Sequence, residues 1–380
     1  MRVLVVNAGS SSLKLALLAP ARGGASGPAG AGDREDEVIA ACELDAPRAR
    51  INARQLRAAL RSPLGDAHAV GHRIVHGGEL YRHAIRLDER VRRELDVLVD
   101  LAPLHQPKSL AALDAVSEVL PGLPAVACFD TAFHATLPAA AATYALPAAW
   151  RERWGLRRYG FHGLSHASVA RRAPALLECD ASEPRIVSCH LGAGASLCAI
   201  AAGRSVDTTM GFTPLEGLVM ATRSGSLDPG MLLWLNEHGG LAVDELADAL
   251  EHRSGLLALA GSADMREVVS RAEAGDERAR LALDVYVHHL RGGIAAMAAA
   301  LGGLDALVFT GGVGERSPQV RAHAAAGLGF LGVALDEARN RAASGETEVS
   351  AARARVRTLV LRAREDAEIA RQTRAVLAGN

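Results

Sequence analysis

Asn7, Gly9, Ser10, Ser11, Ser12 and Lys14 stand together in one short stretch and supply what a phosphate group asks of a protein. Glycine lets the backbone come close and turn its N–H groups outward, serine hydroxyls add donors, and the lysine adds a charge. Lys14 and Lys108 are the only lysines among 42 basic residues, so a lysine here answers a need that arginine does not meet. The same turn chemistry recurs at His190, Gly192, Ala193, Gly194 and Ser196, and a third glycine run stands at Gly311, Gly312 and Gly314. A lone turn of this type is an ordinary tight hairpin. Three in one chain point to nucleotide phosphates.

Other signatures fail on inspection. Gly192 and Gly194 open like the dinucleotide fingerprint, but strand residues follow instead of a helix, so the helix-dipole mechanism is missing. No GxxxxGK[ST] loop exists. His162 and His166 are four apart, as zinc ligands on a helix can be, without the intervening glutamate that HExxH requires. Cys42, Cys128, Cys179, Cys189 and Cys198 are odd in number and lack CxxC spacing, which argues for reduced thiols and against a zinc site or disulfide framework. Asp130 follows an apolar run at 125–129, where a carboxylate serves equally as a helix cap or as a magnesium ligand.

The elements that carry these residues alternate in type. Apolar runs at 3–6 and 13–18 flank the first turn and predict a β-hairpin, and runs at 185–188 and 197–201 flank the second. Two such units about 180 residues apart imply an internal duplication. The third glycine run follows a strand at 306–310 as a further turn. Residues 281–301 follow the 3.6 period of a long helix, and 21–33 read as a flexible loop. Strands alternating with helices make an α/β fold. A length of 380 residues suits two domains with a cleft, here 1–145 and 146–367, with a C-terminal helix from Glu368 crossing back to the first. The net charge of −1 gives no field for nucleic acid or an anionic membrane, and no signal peptide or spanning run stands out, so the expectation is a cytoplasmic protein with a small-molecule partner.

The flanks of the turns carry a more specific message. VNAGSSSLKL at 6–15, GHRIVHGGE at 71–79, LAPLHQP at 101–107, CFDTAFH at 128–134 and YGFHGLSH at 159–166 resemble, in order, blocks of the acetate kinase family and its propionate and butyrate kinase relatives, in the actin-like ATPase superfamily. CHLGAGAS at 189–196, TTMGFTPLEGL at 208–218, TRSGSLDP at 222–229 and FTGGVGER at 309–316 continue the resemblance over almost the whole chain. It implies two duplicated actin-like, ribonuclease H-like domains around a central cleft. It implies reversible, in-line transfer of the ATP γ-phosphoryl group to acetate, giving ADP and acetyl phosphate, with the domains closing to exclude water.

By that resemblance Arg73 and Arg223 flank the transferred phosphoryl and orient the carboxylate, His162 donates to the phosphoryl, and Asp130 acts near magnesium, for which manganese can substitute. Asn7 and Glu365 are the implied metal-associated residues. Ser10, Ser12, Lys14, His190, Gly192 and Gly194 are implied contacts of the nucleotide phosphates. Asp264, Met265, Arg266, Gly311, Gly312 and Gly314 are implied around the adenosine. Val75, Leu104, Phe161 and Pro214 match a small, dry acyl pocket that suits acetate first and propionate second. His105 and His134 are weaker candidates. The family also implies a homodimer.

Three departures bear on this reading. Ala193 replaces an asparagine of many relatives and removes a donor worth on the order of 1 kcal/mol. Met265 replaces a frequent phenylalanine and implies weaker stacking on the base. Arg364-Glu365-Asp366 stands where the family has Asn-Glu-Glu, which loosens the register at Glu365.

Overall fold

The computed structural model describes all residues except 10–11, 22–35, 47–50, 62, 103–105, 178–182 and 380. Ser10, Ser11, Leu104, His105, Cys179 and most of the 21–33 loop therefore lie outside the described residues. The chain divides into two compact units, one of Met1–Phe133 with Arg364–Asn380 and one of His134–Ala363. The first division falls before 145 because the turn after Phe133 already belongs to the second unit. There His134 bonds through Nδ1 to Ser205 Oγ (2.8 Å) and through Nε2 to the Phe161 carbonyl (3.0 Å).

The first unit is built on β1 (Val3–Ala8), β2 (Ser12–Ala19), β3 (Glu37–Asp45), β4 (Ala69–Ile74), β5 (Ile85–Arg86) and β6 (Ala125–Phe129), in spatial order β3-β2-β1-β4-β6-β5. β1, β4 and β6 run parallel, and β2, β3 and β5 are antiparallel to their neighbours. Val3 to Val6 are apolar without alternation because both faces of the sheet are covered. Helix Gln106–Val119 packs on β1 and β4, and the C-terminal helix Glu365–Leu377 packs on β1, β4 and β6. That helix begins at Glu365, three residues before the expected start at Glu368. A Cβ at Gly71 would meet Thr373 Oγ1 at 2.4 Å and Ile369 Cγ2 at 2.7 Å, so this close approach needs a glycine in β4.

The second unit contains β7 (Ile186–Leu191), β8 (Ala195–Ala201), β9 (Arg204–Thr208), β10 (Ala306–Thr310), β11 (Thr347–Glu348) and β12 (Arg357–Val360), in order β11-β12-β10-β7-β8-β9. Parallel β7, β10 and β12 correspond to β1, β4 and β6, and the hairpin β7–β8 with β9 corresponds to β1–β2 with β3. Each sheet also ends on a two-residue antiparallel strand. The same strand order in both units is the duplication that the two glycine turns announced. The predicted long helix is Glu277–Ala300, capped by Asp276, whose carboxylate accepts from the N–H groups of Arg278 and Ala279.

The third glycine run is no hairpin turn. β10 passes directly into a short helix, Gly311–Arg316. Gly311 has φ +78°, and a Cβ there would meet the Leu191 carbonyl oxygen at 2.7 Å. Glycine is required at the bend where strand becomes helix, which the sequence pattern displayed as if it were a turn.

Candidate active site

In the first unit the candidate residues collect at the carboxyl ends of the parallel strands, where open α/β sheets place their ligands. Asn7 is near the end of β1, Arg73 near the end of β4, and Asp130 directly after β6. Arg73 donates from Nε to Asp130 Oδ1 and Oδ2 (3.1 and 3.0 Å), from Nη2 to Oδ2 (2.6 Å), and from Nη1 to Asn7 Oδ1 (3.1 Å). Asn7 Nδ2 lies 3.4 Å from Glu365 Oε2 at the start of the C-terminal helix. Lys14 pairs across the hairpin with Asn7. Ser12 is directed otherwise, donating to Glu43 Oε1 at 2.5 Å.

The charges explain one another. Burial works against the Arg73 cation, yet Asp130 and Glu365 push its pKa upward on balance. Burial raises the pKa of Asp130 despite that partner. Asp366 is also raised, by burial first and by Glu365 beside it second, while Lys14 and Asn7 oppose the shift. Three carboxylates against two cations leave the group one negative charge in excess. Its neutral donor, Asn7 Oδ1, is likewise oxygen. This set suits a magnesium ion that takes one or two protein oxygens and completes its shell with phosphates and water. Among the described residues no three His, Cys, Asp or Glu side chains form a full metal cage. Asn7 and Glu365 are the residues that could hold such an ion, with Asn7 Oδ1 accepting from Arg73 Nη1 in this structure.

In the second unit His162, His166 and His190 are ordered by serines. His162 Nδ1 and His166 Nε2 both bond Ser196 Oγ (2.9 Å each), His166 Nδ1 bonds Ser188 Oγ (2.9 Å), and His190 Nδ1 bonds Ser165 Oγ (2.8 Å). His166 is fully buried and burial holds its pKa well below the ordinary value, so it is a neutral strut. His162 differs. It precedes helix Gly163–Leu176 with φ 56°, one of two non-glycine residues at positive φ among the described residues. Backbone strain of this kind concentrates at functional sites. The His162 and His190 rings lie 4.4 Å apart between centroids.

Arg223 reaches the same place: a Cβ on Gly194 would stand 3.3 Å from the His162 ring and 3.6 Å from Arg223 Nη1. Arg223 Nη1 donates to the Pro214 carbonyl (3.1 Å), and its Nε lies 3.4 Å from Glu251. Burial lowers its pKa and Glu251 partly restores it. Of the acyl-pocket candidates, Val75 is buried in the first unit, while Phe161 and Pro214 are buried in the second.

Beside this cluster the second unit has a cavity of about 680 Å3, within the usual range for small-molecule sites. Gly192, Asp264, Met265, Arg266 and Gly312 line it, with Ala193, and Gly311 and Gly314 lie in the helix that forms one wall. Asp264 caps helix Met265–Glu273 and pairs with exposed Arg266, and their bonds lower its pKa to about 2. Met265 is only 5 % exposed and presents little surface for a base.

A sequence profile of the Acetokinase family matches residues 2–371. The chain belongs to the acetokinase family. The chain is 50 % identical over 309 residues to the acetate kinase of Gloeobacter violaceus, covering 81 % of this chain and 76 % of that one. Its fold is similar to crystal structures of Porphyromonas gingivalis acetate kinase (TM-score 0.87, 34 % identity) and of a propionate kinase from Francisella tularensis (TM-score 0.87, 33 % identity), each match covering 99 % of both chains. Other residues that organise these clusters carry weaker signals in the sequence. Asp366 is adjacent to Glu365 and Ser165 lies inside the YGFHGLSH block, while Ser196, expected as part of the second glycine turn, serves to order His162 and His166. Glu251 carried no local signal, because only the fold brings it to Arg223.

Proposed function

We infer that this chain is an acetate kinase that passes the γ-phosphoryl group of ATP to acetate, forming ADP and acetyl phosphate, and also runs in reverse. The observation that carries the reading is the guanidinium of Arg73, fixed by Asp130 and Asn7 at the strand ends of a family member. Phosphoryl transfer asks the protein for positioning and for positive charge around the equatorial oxygens, and little else. Arg73 keeps further N–H groups for a phosphoryl or carboxylate oxygen. Arg223 and His162 supply the corresponding donors of the second unit, and Asp264, Gly192 and Gly312 hold the nucleotide in its cavity. Bound magnesium or manganese would neutralise charge on the phosphates beside Asn7 and Glu365. Phe161 and Pro214 of the second unit are proposed apolar contacts of the acetate methyl.

Helix Pro229–Glu237 supports a homodimer: none of its residues is buried, and Leu233 and Trp234 are 64 % and 56 % exposed. No helix among the described residues is long and apolar enough to cross a membrane. The proposed setting is the cytoplasm, where ATP is available.

Purified protein with ATP, magnesium and hydroxylamine tests the reading when acetate, propionate and butyrate are compared. Acetyl hydroxamate should form, with kcat/KM falling from acetate to butyrate. A preference for butyrate would overturn the pocket residues. ATP binding without any hydroxamate would overturn the kinase.

A further inference from the structure

Arg321 is among the largest fully buried side chains, 1 % exposed. Every hydrogen-bond partner of its guanidinium among the described residues is neutral. Nε donates to Asn340 Oδ1 (2.7 Å), Nη2 to the Asn340 carbonyl (2.7 Å), and Nη1 to the carbonyls of Gly314 and Glu315 (2.9 Å each). Burial pulls its pKa down to about 10, and no acid restores it. A buried charge without a counter-charge is costly, so a strong geometric demand must keep it there.

That demand lies in the helix Gly311–Arg316. It has six residues, three of them glycine; its N-cap Thr310 makes no side-chain cap bond, and the Gly311 N–H is met instead by Glu315 Oε1 (3.1 Å). Such a segment has little helical propensity of its own. Its last carbonyls have no partner within the helix and form the negative end of its dipole. Arg321 answers both needs, accepting no bonds itself and donating to two of those carbonyls. Asn340 extends the brace by donating from Nδ2 to the Pro318 carbonyl (2.9 Å), at the start of the helix Pro318–Ala326 that carries Arg321. Gly312, Val313, Arg316, Ser317 and Gln319, which line one side of the cavity, all belong to the segment so clamped.

We propose that Arg321, braced by Asn340, is a positioning residue for the nucleotide, holding the glycine helix in the one arrangement that admits the nucleoside of ATP. The inference rests on reading the cavity as the nucleotide site. ADP binding by calorimetry on the full chain tests it without reference to turnover. Arg321→Met, with its fold checked by circular dichroism, should raise the ADP Kd and the ATP KM by about tenfold or more, the equivalent of one hydrogen-bonded cap or better. The acetate KM should stay within about twofold of the parent. Arg321→Lys, which keeps a donor for the carbonyls but loses the fork to Asn340, should recover part of the loss and serves alone if the methionine variant does not fold. Equal rises in both KM values, or a lower melting temperature with ADP binding unchanged, would overturn the positioning role. A parent protein that binds no ADP would instead remove the nucleotide reading of the cavity, and this inference with it.

Discussion

Arg73 and Asp130 form a forked ion pair, with Nε and Nη2 both on the carboxylate and the closest contact at 2.6 Å. The Nε–Nη2 edge of the Arg73 guanidinium is thus already taken by the protein. Asp130 fixes the plane of the guanidinium, and only the remaining N–H groups are left for the reaction.

Removing the arginine should separate folding from catalysis. Arg73→Ala should lower kcat by about 100-fold or more, as loss of a preorganised donor does. It should also leave Asp130 as an unpaired buried carboxylate, lowering stability by about 3 kcal/mol. Hydroxamate formation and urea melts measure the two effects. Turnover near that of the parent would remove Arg73 from the mechanism.

His162 combines strain with chemistry, and asparagine can divide them because it tolerates the left-handed region. His162→Asn should keep the melting temperature within a few degrees while kcat drops at least about tenfold. His162→Ala should lose activity and also about 1 kcal/mol of stability. Equal turnover in all three proteins would make His162 a structural residue only.

Ala193 is exposed at the cavity between two glycines. Ala193→Asn should restore a side-chain donor and tighten ADP binding by about fivefold, close to 1 kcal/mol. Calorimetry reads this directly, and weaker binding would show that the turn has no room for the amide.

Glu365 can be neutralised in place. Glu365→Gln should raise the magnesium concentration for half-maximal rate by about tenfold, in the range seen when metal-associated groups are lost. A chelator should abolish turnover of the parent, with magnesium or manganese restoring it. A metal dependence identical to that of the parent would exclude Glu365 as an ion neighbour.

Acid should weaken the fold through its buried imidazoles. Burial lowers the pKa of His72, His76 and His134 to about 4 from an ordinary 6.5, with Asp114 opposing the shift at His72 and the Phe161 carbonyl opposing it at His134. Between about 6.5 and about 4 the unfolded chain binds protons that the folded chain refuses. Stability is therefore full above that window and is lost as pH falls through it, by up to about 1.4 kcal/mol per pH unit for each histidine. Both ring nitrogens of His72 are buried and have no hydrogen-bond partner among the described residues. His72→Leu should flatten the pH profile of the melting temperature. An unchanged slope would take His72 out of this account.

The hairpins, the strands at 125–129 and 306–310 and the long helix were legible because apolar runs and turn residues state their own ends. Gly311 shows the limit: a glycine run after a strand reads as a turn, and only the contact with Leu191 reveals a strand passing into a helix. Asn7, Arg73, Asp130 and Glu365 were found as separate motif residues, yet their mutual bonds depend on strand order, which no local pattern carries. Glu251 and Arg321 were invisible for the same reason, since each acts on a partner chosen by packing.

The first unit takes β1 from one end of the chain and the helix bearing Glu365 from the other. During synthesis Asn7, Arg73 and Asp130 leave the ribosome long before Glu365 exists. The centre of β4 at Gly71 stays uncovered until then, so a growing or prematurely stopped chain exposes an apolar sheet face to chaperones and proteases. Arrival of the helix Glu365–Leu377, and not closure of the first hairpin, completes this unit.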